Sequence, residues 1–264
     1  MTAGFNRSDR PDRPERVARV AVVLAAGKGT RMASPLPKVL HRAAGRPLLV
    51  WVLDAARAAG CGRILVVVGH GAEEVREEFG GPENADLTWV LQAEQRGTGH
   101  ALAQAEPHLA GARATLLVLS GDVPLVTPET LAELARLAEA EDTWGAMAVA
   151  ELAEPGSLGR VIADPAGNLE RIVEARDATP EELAIRRINS GLYALPAPAI
   201  FDYLDRLEPK NAQGELYLTD ALGAAAADGH PLRLLPLADP IESLGVNNRD
   251  ELAQVDRLLQ GRRA

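Results

Sequence analysis

The segment VARVAVVLAAG at 17–27 is a nearly continuous apolar run that stops at glycine. A strand buried on both faces of a parallel sheet reads this way, whereas a half-solvated strand alternates polar and apolar positions. RILVVVG at 63–69, LTWVLQ at 87–92 and TLLVLSGD at 115–122 extend the same pattern. Between these runs, 47–59, 72–79, 98–108 and 128–140 have a helix-like distribution of apolar residues. In the last of them Thr127 is placed to cap, Pro128 suits a first turn, and Leu131, Leu134 and Leu137 recur on one side. Such a stripe needs a sheet to cover. The alternation predicts parallel strands joined by right-handed helical crossovers.

After about residue 144 the rhythm changes to shorter strand-like pieces, WGAMAVAEL, GRVIAD and LERIVE, separated by Pro155, Gly156, Pro165 and Gly167. GLYALP at 191–196 reads as a strand, 198–207 and 215–227 as helices, PLRLLPL at 231–237 as an edge strand, and 248–260 as a final helix. The fold class is therefore α/β and Rossmann-like, a mostly parallel mixed sheet flanked by helices, with a smaller β-containing lobe. We divide the chain into a tail at 1–16, one main domain at 17–250, and a carboxy-terminal helix and end at 251–264. The tail is expected to be disordered, because it is polar and proline-broken with little apolar surface to offset ordering. Its arginines alternate with Asp9, Asp12 and Glu15, which argues against a basic arm for nucleic acid.

With 264 residues, folding is expected to bury about three quarters of the unfolded surface, enough for a core without covalent staples. Cys61 is the single cysteine, which excludes a disulfide framework and cysteine-rich zinc folds and fits a reducing cytoplasm. The sequence contains no 18-residue apolar run, and its amino end, MTAGFNRSDRPDRPERVAR, lacks the hydrophobic stretch of an export signal, so neither a membrane span nor an export signal is expected. The 28 lysines and arginines against 37 acids give a net charge of −9, and aromatics make up 3 %. Both features disfavour nucleic-acid binding, which needs basic surface and stacking platforms.

The candidate chemistry begins just past the first strand. LAAGKGTRMASPLPKVL, from Leu24 to Leu40, joins small residues, two glycines and three cations at the sheet edge where open α/β folds bind ligands. Gly27 and Gly29 let backbone N–H groups close around an oxyanion, while Lys28, Arg31 and Lys38 can neutralise phosphate. The glycine spacing matches neither a Walker loop nor a dinucleotide fingerprint, so an NAD dehydrogenase is disfavoured. A second feature lies at the end of a central strand, where Gly121 and Asp122 precede Pro124. A carboxylate there suits a hard divalent cation that completes its shell with phosphate and water. Asn247 and Asn248 offer either a neutral metal oxygen or a cap for the final helix. The five histidines are scattered, show no metal-binding spacing and receive no catalytic role.

Taken in order, LAAGKGTRMASPLPKVLH, LQAEQRGTGHA, SGDVPL, GRVIAD, IVEARDAT, INSGLY, NAQGELYLTD and GVNNR resemble bacterial N-acetylglucosamine-1-phosphate uridylyltransferases. These form the pyrophosphorylase half of the bifunctional enzymes that make UDP-N-acetylglucosamine. The resemblance runs from about 20 to 250. It implies that Leu24, Ala25, Ala26 and Gly27 hold the nucleotide, Arg31 and Lys38 its phosphates, and Gln92, Gly97 and Thr98 the uracil. Gly159, Glu174 and Asn189 would line the pocket for N-acetylglucosamine 1-phosphate, with Asn247 at its edge, and Asp122 and Asn247 would hold Mg²⁺. Ser120 and the loop PGSLGR lack aromatics usual in that family, which bears on sugar contacts. No hexapeptide repeat is present, so acetyl transfer is not expected, and a monomer or weak oligomer is. The implied reaction joins UTP and N-acetylglucosamine 1-phosphate with release of pyrophosphate. The alternatives are the same chemistry on another sugar phosphate or nucleotide, and a non-catalytic nucleotide-binding regulatory module.

Overall fold

The computed structural model describes residues 18–109 and 111–262. The segment read as a tail lies outside the described residues. Within them, the strands are β1 (Ala18–Ala25), β2 (Arg42–Ala43), β3 (Arg46–Pro47), β4 (Arg63–Val68), β5 (Leu87–Leu91), β6 (Ala114–Ser120), β7 (Gly145–Glu151), β8 (Arg160–Ala163), β9 (Leu169–Val173), β10 (Arg187–Ala197) and β11 (Leu232–Pro236). The α-helices are α1 (Leu48–Ala58), α2 (Ala72–Glu78), α3 (Thr98–Ala103), α4 (Pro128–Ala138), α5 (Pro180–Leu183), α6 (Ala199–Leu204), α7 (Leu218–Ala227) and α8 (Arg249–Gly261).

Among the described residues the main sheet runs β11-β7-β10-β6-β1-β4-β5, with β8 and β9 branching from β10. β6, β1, β4 and β5 are parallel, β10 lies antiparallel between β6 and β7, and β11 is parallel to β7. The mixed sheet expected from the sequence is thus built around one reversed strand. β1 alternates in the way a doubly covered strand must: Val20 and Val22 join one apolar cluster with α3, α6 and α7, while Ala21, Val23 and Ala25 join another with α1, α2 and α4. Helices therefore cover both faces.

Local chemistry fixes the ends of several elements. The Thr127 hydroxyl accepts from Thr130 N at 3.3 Å with Pro128 in the first turn, a cap worth about 1 kcal/mol. The helix expected over 98–108 stops at Ala103 instead, and a 3₁₀ turn occupies Glu106–His108. Pro107 supplies no N–H and disfavours helical backbone at the residue before it. α8 begins at Arg249, so the division placed at 250 falls in its first turn. Val255 and Leu259 of α8 are buried with Met32, Ala43, Leu48 and Leu125, joining the helix to the segment that follows β1.

Candidate active site

β1 and β6 are neighbours, with Leu24 in register with Ser120. Their parallel pairing brings both carboxyl ends to one edge, and Gly121 N donates to Leu24 O at 2.9 Å. The cationic loop and Asp122 consequently emerge side by side. A cavity of about 530 Å³ opens there, lined among others by Leu24, Ala25, Ala26, Gly27, Arg31, Lys38, Gln92, Gly97, Thr98, Asp122 and Asn247.

In its lining Lys38 forms an ion pair with Asp122, and Lys38 Nζ also donates to Asn247 Oδ1 at 3.2 Å. Arg31 Nη2 donates to the same Asn247 oxygen at 2.9 Å. Both members of the Lys38–Asp122 pair are 17 % exposed, between a solvated surface pair and a buried one. The loop between Met32 and Lys38 is held from behind, where Arg249 donates to Met32 O at 3.4 Å and to Ala33 O at 3.3 Å.

Asn247 comes from a chain segment far from Asp122 in sequence. Val246 N donates to Asp122 O at 2.9 Å, so the two segments run against each other. Glu242, 4 % exposed, pins the same junction by accepting from Thr127 N at 2.9 Å, Thr127 Oγ1 at 2.8 Å and Thr130 Oγ1 at 3.0 Å. The two asparagines divide the roles that the sequence left open. Asn248 Oδ1 caps α8 through Glu251 N at 2.9 Å, whereas Asn247 turns its oxygen to the cations. Glu251 also accepts from Asn247 N at 2.5 Å, which fixes that turn.

A further part of the lining is formed after β5. Gln92 is 2 % exposed, and its Nε2 reaches Gly97 O at 3.2 Å and His100 Nδ1 at 3.0 Å. Gly97 has φ 109°, and a Cβ there would lie 2.5 Å from Leu216 O. Only glycine fits that backbone. The Thr98 hydroxyl accepts from Leu218 N at 3.0 Å, tying this wall to α7.

Gly159, Glu174 and Asn189 also come together, beside the cavity rather than within its lining. Asn189 N donates to Gly159 O at 2.9 Å, and the Glu174 carboxylate lies 3.3 Å from where a Gly159 Cβ would sit. Asn189 Oδ1 accepts from Gly191 N and from the Tyr193 hydroxyl, both at 3.0 Å. A Cβ on Gly191 would stand 3.2 Å from Ser120 Oγ, which connects this cluster to the cavity wall. The loop carrying Gly159 is tethered by Arg160, 3 % exposed, whose guanidinium donates to the carbonyls of Leu158, Gly156 and Leu183.

Burial holds the Glu174 carboxyl above the usual range, opposed by a 3.4 Å hydrogen bond from the Thr219 hydroxyl and reinforced by Asp220 and Asp177. A raised carboxyl pKa means that the folded protein binds this proton more tightly than the unfolded chain does. The corresponding stability is present below the unfolded pKa of about 4.3 and is lost as pH rises through the folded value. Glu174→Gln should therefore melt higher than wild type at about pH 8, with the gap closing towards about pH 4. Calorimetric melts across that interval check it; a gap independent of pH would contradict the assignment.

Sequence reasoning missed Gln95, which lines the cavity and donates to Gln92 O at 3.1 Å, as well as the supporting roles of Glu242, Arg249 and His100. The Asn-x-x-Glu spacing at 248–251 was the available signal for the α8 cap. No local signal marked the others.

The cavity opens at the carboxyl edge of a mixed α/β sheet, and the chain belongs to the family of the MobA-like NTP transferase domain, whose model matches residues 21–232. It is 47 % identical over 241 residues to the bifunctional protein GlmU of Pelobacter propionicus, covering 91 % of this chain and 52 % of that protein. The corresponding protein of Pelotomaculum thermopropionicum is 46 % identical over the same length, again with 91 % and 52 % covered. The chain thus spans about half the length of these curated relatives. In fold it matches a crystal structure of UDP-glucose pyrophosphorylase complexed with UDP-glucose, with a TM-score of 0.76 and 20 % identity, covering 93 % of this chain and all of that one. Among the described residues no helix is long and apolar enough to cross a membrane.

Proposed function

We propose that this chain is a uridylyltransferase that converts UTP and N-acetylglucosamine 1-phosphate to UDP-N-acetylglucosamine and pyrophosphate, acting in the cytoplasm. The observation that carries this reading is the meeting of Lys38, Asp122 and Asn247, from three distant segments, in the lining of a cavity that Gln92, Gly97 and Thr98 also line. The first group is suited to a triphosphate and the second to a base.

In the reaction a sugar-phosphate oxygen attacks the α-phosphorus while the bond to the bridging oxygen breaks, and pyrophosphate leaves with that electron pair. A phosphate monoester has its second pKa near about 6, so the nucleophile is already anionic at neutral pH and needs no protein base. What the protein must supply is position and positive charge. Leu24, Ala25, Ala26 and Gly27 hold the nucleotide backbone, and Lys38 and Arg31 stabilise charge on the transferred and leaving phosphates. Gln92, Gly97 and Thr98 receive the uracil. Gly159, Glu174 and Asn189 receive the N-acetylglucosamine phosphate, with Asn247 beside it.

Asp122 and Asn247 suit Mg²⁺ in both type and placement. They are hard oxygen donors, and the Lys38 ammonium already bridges the two, so one cation can touch both. Among the described residues no group of three or more His, Cys, Asp or Glu side chains converges to hold a metal, so phosphate and water would complete the shell. Bound there, Mg²⁺ would neutralise phosphate charge that two cationic side chains alone leave unbalanced.

Pyrophosphate release measured with UTP, dTTP, CTP and GTP, each with N-acetylglucosamine 1-phosphate or glucose 1-phosphate, tests this reading. The pair UTP and N-acetylglucosamine 1-phosphate should give the highest kcat/KM. A higher value for another pair would reassign the substrates, and release with none of them would leave a nucleotide-binding module.

A further inference from the structure

The Gln92 amide is held by a contact that the reaction itself does not require. Its Nε2 faces a carbonyl, Gly97 O, at 3.2 Å, so the amide nitrogen and not the oxygen must occupy that side. The remaining amide hydrogen then points at His100 Nδ1, 3.0 Å away, and Nδ1 must act as the acceptor. A ring that accepts at Nδ1 is neutral and carries its proton on Nε2. That nitrogen lies 3.3 Å from Gln104 Nε2, which donates to His100 O at 3.2 Å and so offers it no acceptor. The surroundings favour the neutral ring: burial first and then Arg96 hold the His100 pKa below the usual histidine range, with Glu94 opposing.

With both amide hydrogens engaged, Gln92 Oε1 is the side-chain atom left over. It makes no hydrogen bond among the described residues, and Gln92, although 2 % exposed, lines the cavity. An amide locked this way presents an acceptor alone. Uracil carries a donor at N3, whereas cytosine carries an acceptor there and would meet Oε1 lone pair to lone pair.

We propose that His100 is a specificity-determining positioning residue, its Nδ1 fixing the Gln92 amide so that Oε1 selects a pyrimidine with an N3–H over one without. The inference rests on the placement of the nucleobase at Gln92 in the proposed function. A rotatable amide could offer its NH₂ to cytosine as readily as its oxygen to uracil, so discrimination depends on the lock that Gly97 O and His100 Nδ1 make together. The ring acts through Gln92 and does not touch the base.

The test compares wild type with His100→Ala, which removes the acceptor, and His100→Asn, whose amide oxygen can stand near the position of Nδ1. KM and kcat are read for UTP and CTP, and calorimetry without sugar phosphate reads the affinity of each nucleotide. In H100A the UTP KM should rise and the UTP:CTP preference fall, each by about tenfold, with kcat and the sugar-phosphate KM within about twofold of wild type. H100N should restore the preference to within about threefold. Should H100A fold poorly, H100L fills the space, equally lacks an acceptor and gives the same readout. An unchanged UTP:CTP preference in the variant lacking the acceptor would overturn the inference, as would H100N behaving like H100A, since ring packing alone would then be responsible. The binding arm keeps the two claims separate. A wild type that prefers UTP in calorimetry yet releases no pyrophosphate would end the uridylyltransferase reading and leave the His100 assignment to its variants.

Discussion

Asp122→Asn should lower kcat by about a thousandfold or more while the protein stays folded. The carboxylate stands at the end of β6, where it pairs with Lys38 and shares that ammonium with Asn247. An amide of the same shape keeps an oxygen for hydrogen bonding but removes the full charge that would hold a divalent cation against the triphosphate. A thousandfold corresponds to about 4 kcal/mol of transition-state stabilisation, in the range attributed to a metal acting on a phosphoryl group. The fold should tolerate the change because its hydrogen bonds here are made by backbone: Gly121 N to Leu24 O, and Val246 N to Asp122 O. The loss of the Lys38 pair, 17 % exposed on both sides, should cost about 1–3 kcal/mol and a few degrees of melting temperature. A kcat within threefold of wild type would remove Asp122 from the reaction.

Lys38→Met should reduce kcat by a comparable factor, about a thousandfold, with nucleotide affinity changed by less than about fivefold. The distinction follows from where the charge acts. An ammonium that stabilises charge developing on the transferred and leaving phosphates lowers the barrier more than it tightens the ground state. A second effect of the same substitution runs in the opposite direction. The ammonium sits on the two oxygens proposed for Mg²⁺, so it competes for them. An ammonium and a divalent cation about 4 Å apart repel by about 8 kcal/mol at an effective dielectric constant near 20. K38M should therefore bind Mn²⁺, read by the loss of its free-ion resonance, more tightly than wild type does in the absence of nucleotide. Weaker Mn²⁺ binding in K38M would mean that the lysine supports the metal site instead of competing with it.

How much of this was visible beforehand depended on how local each cause was. β1, β4 and β6 are legible because strands covered on both faces must be apolar at nearly every position. The convergence of the cationic loop and Asp122 was also inferable, since parallel neighbours place their carboxyl ends together. β10 was harder: burial alternates from Arg187 to Leu192, but the buried Ser190 is polar and the register with β7 shifts between Asn189 and Tyr193, so the residues themselves show no apolar alternation there. The two-residue strands β2 and β3 carry no period at all. In 98–108 the apolar spacing continues past Ala103, yet Pro107 decides the backbone.

Within the site, residue types in the loop pointed to phosphate from sequence alone, while the places of Gln92, Glu174 and Asn189 came from the family resemblance. The supporting residues were not readable. Glu242 lies in PIES, which has the composition of a solvated turn, and only the tertiary fold puts its carboxylate on Thr127 and Thr130. His100 reads as a surface position of a short helix until β5 brings Gln92 beneath it. Asn247 and Asn248 are chemically identical, and one cap hydrogen bond from Glu251 N assigns them different work.

The most direct measurement follows the α-phosphorus itself. UTP labelled at the α-phosphate is incubated with N-acetylglucosamine 1-phosphate, with Mg²⁺ and then with excess chelator, and the label and pyrophosphate are quantified together. Label should appear in UDP-N-acetylglucosamine, one equivalent for each unlabelled pyrophosphate, and the transfer should collapse when the chelator removes Mg²⁺. Label remaining in UTP or accumulating as UMP, or transfer at the same rate with and without Mg²⁺, would contradict it.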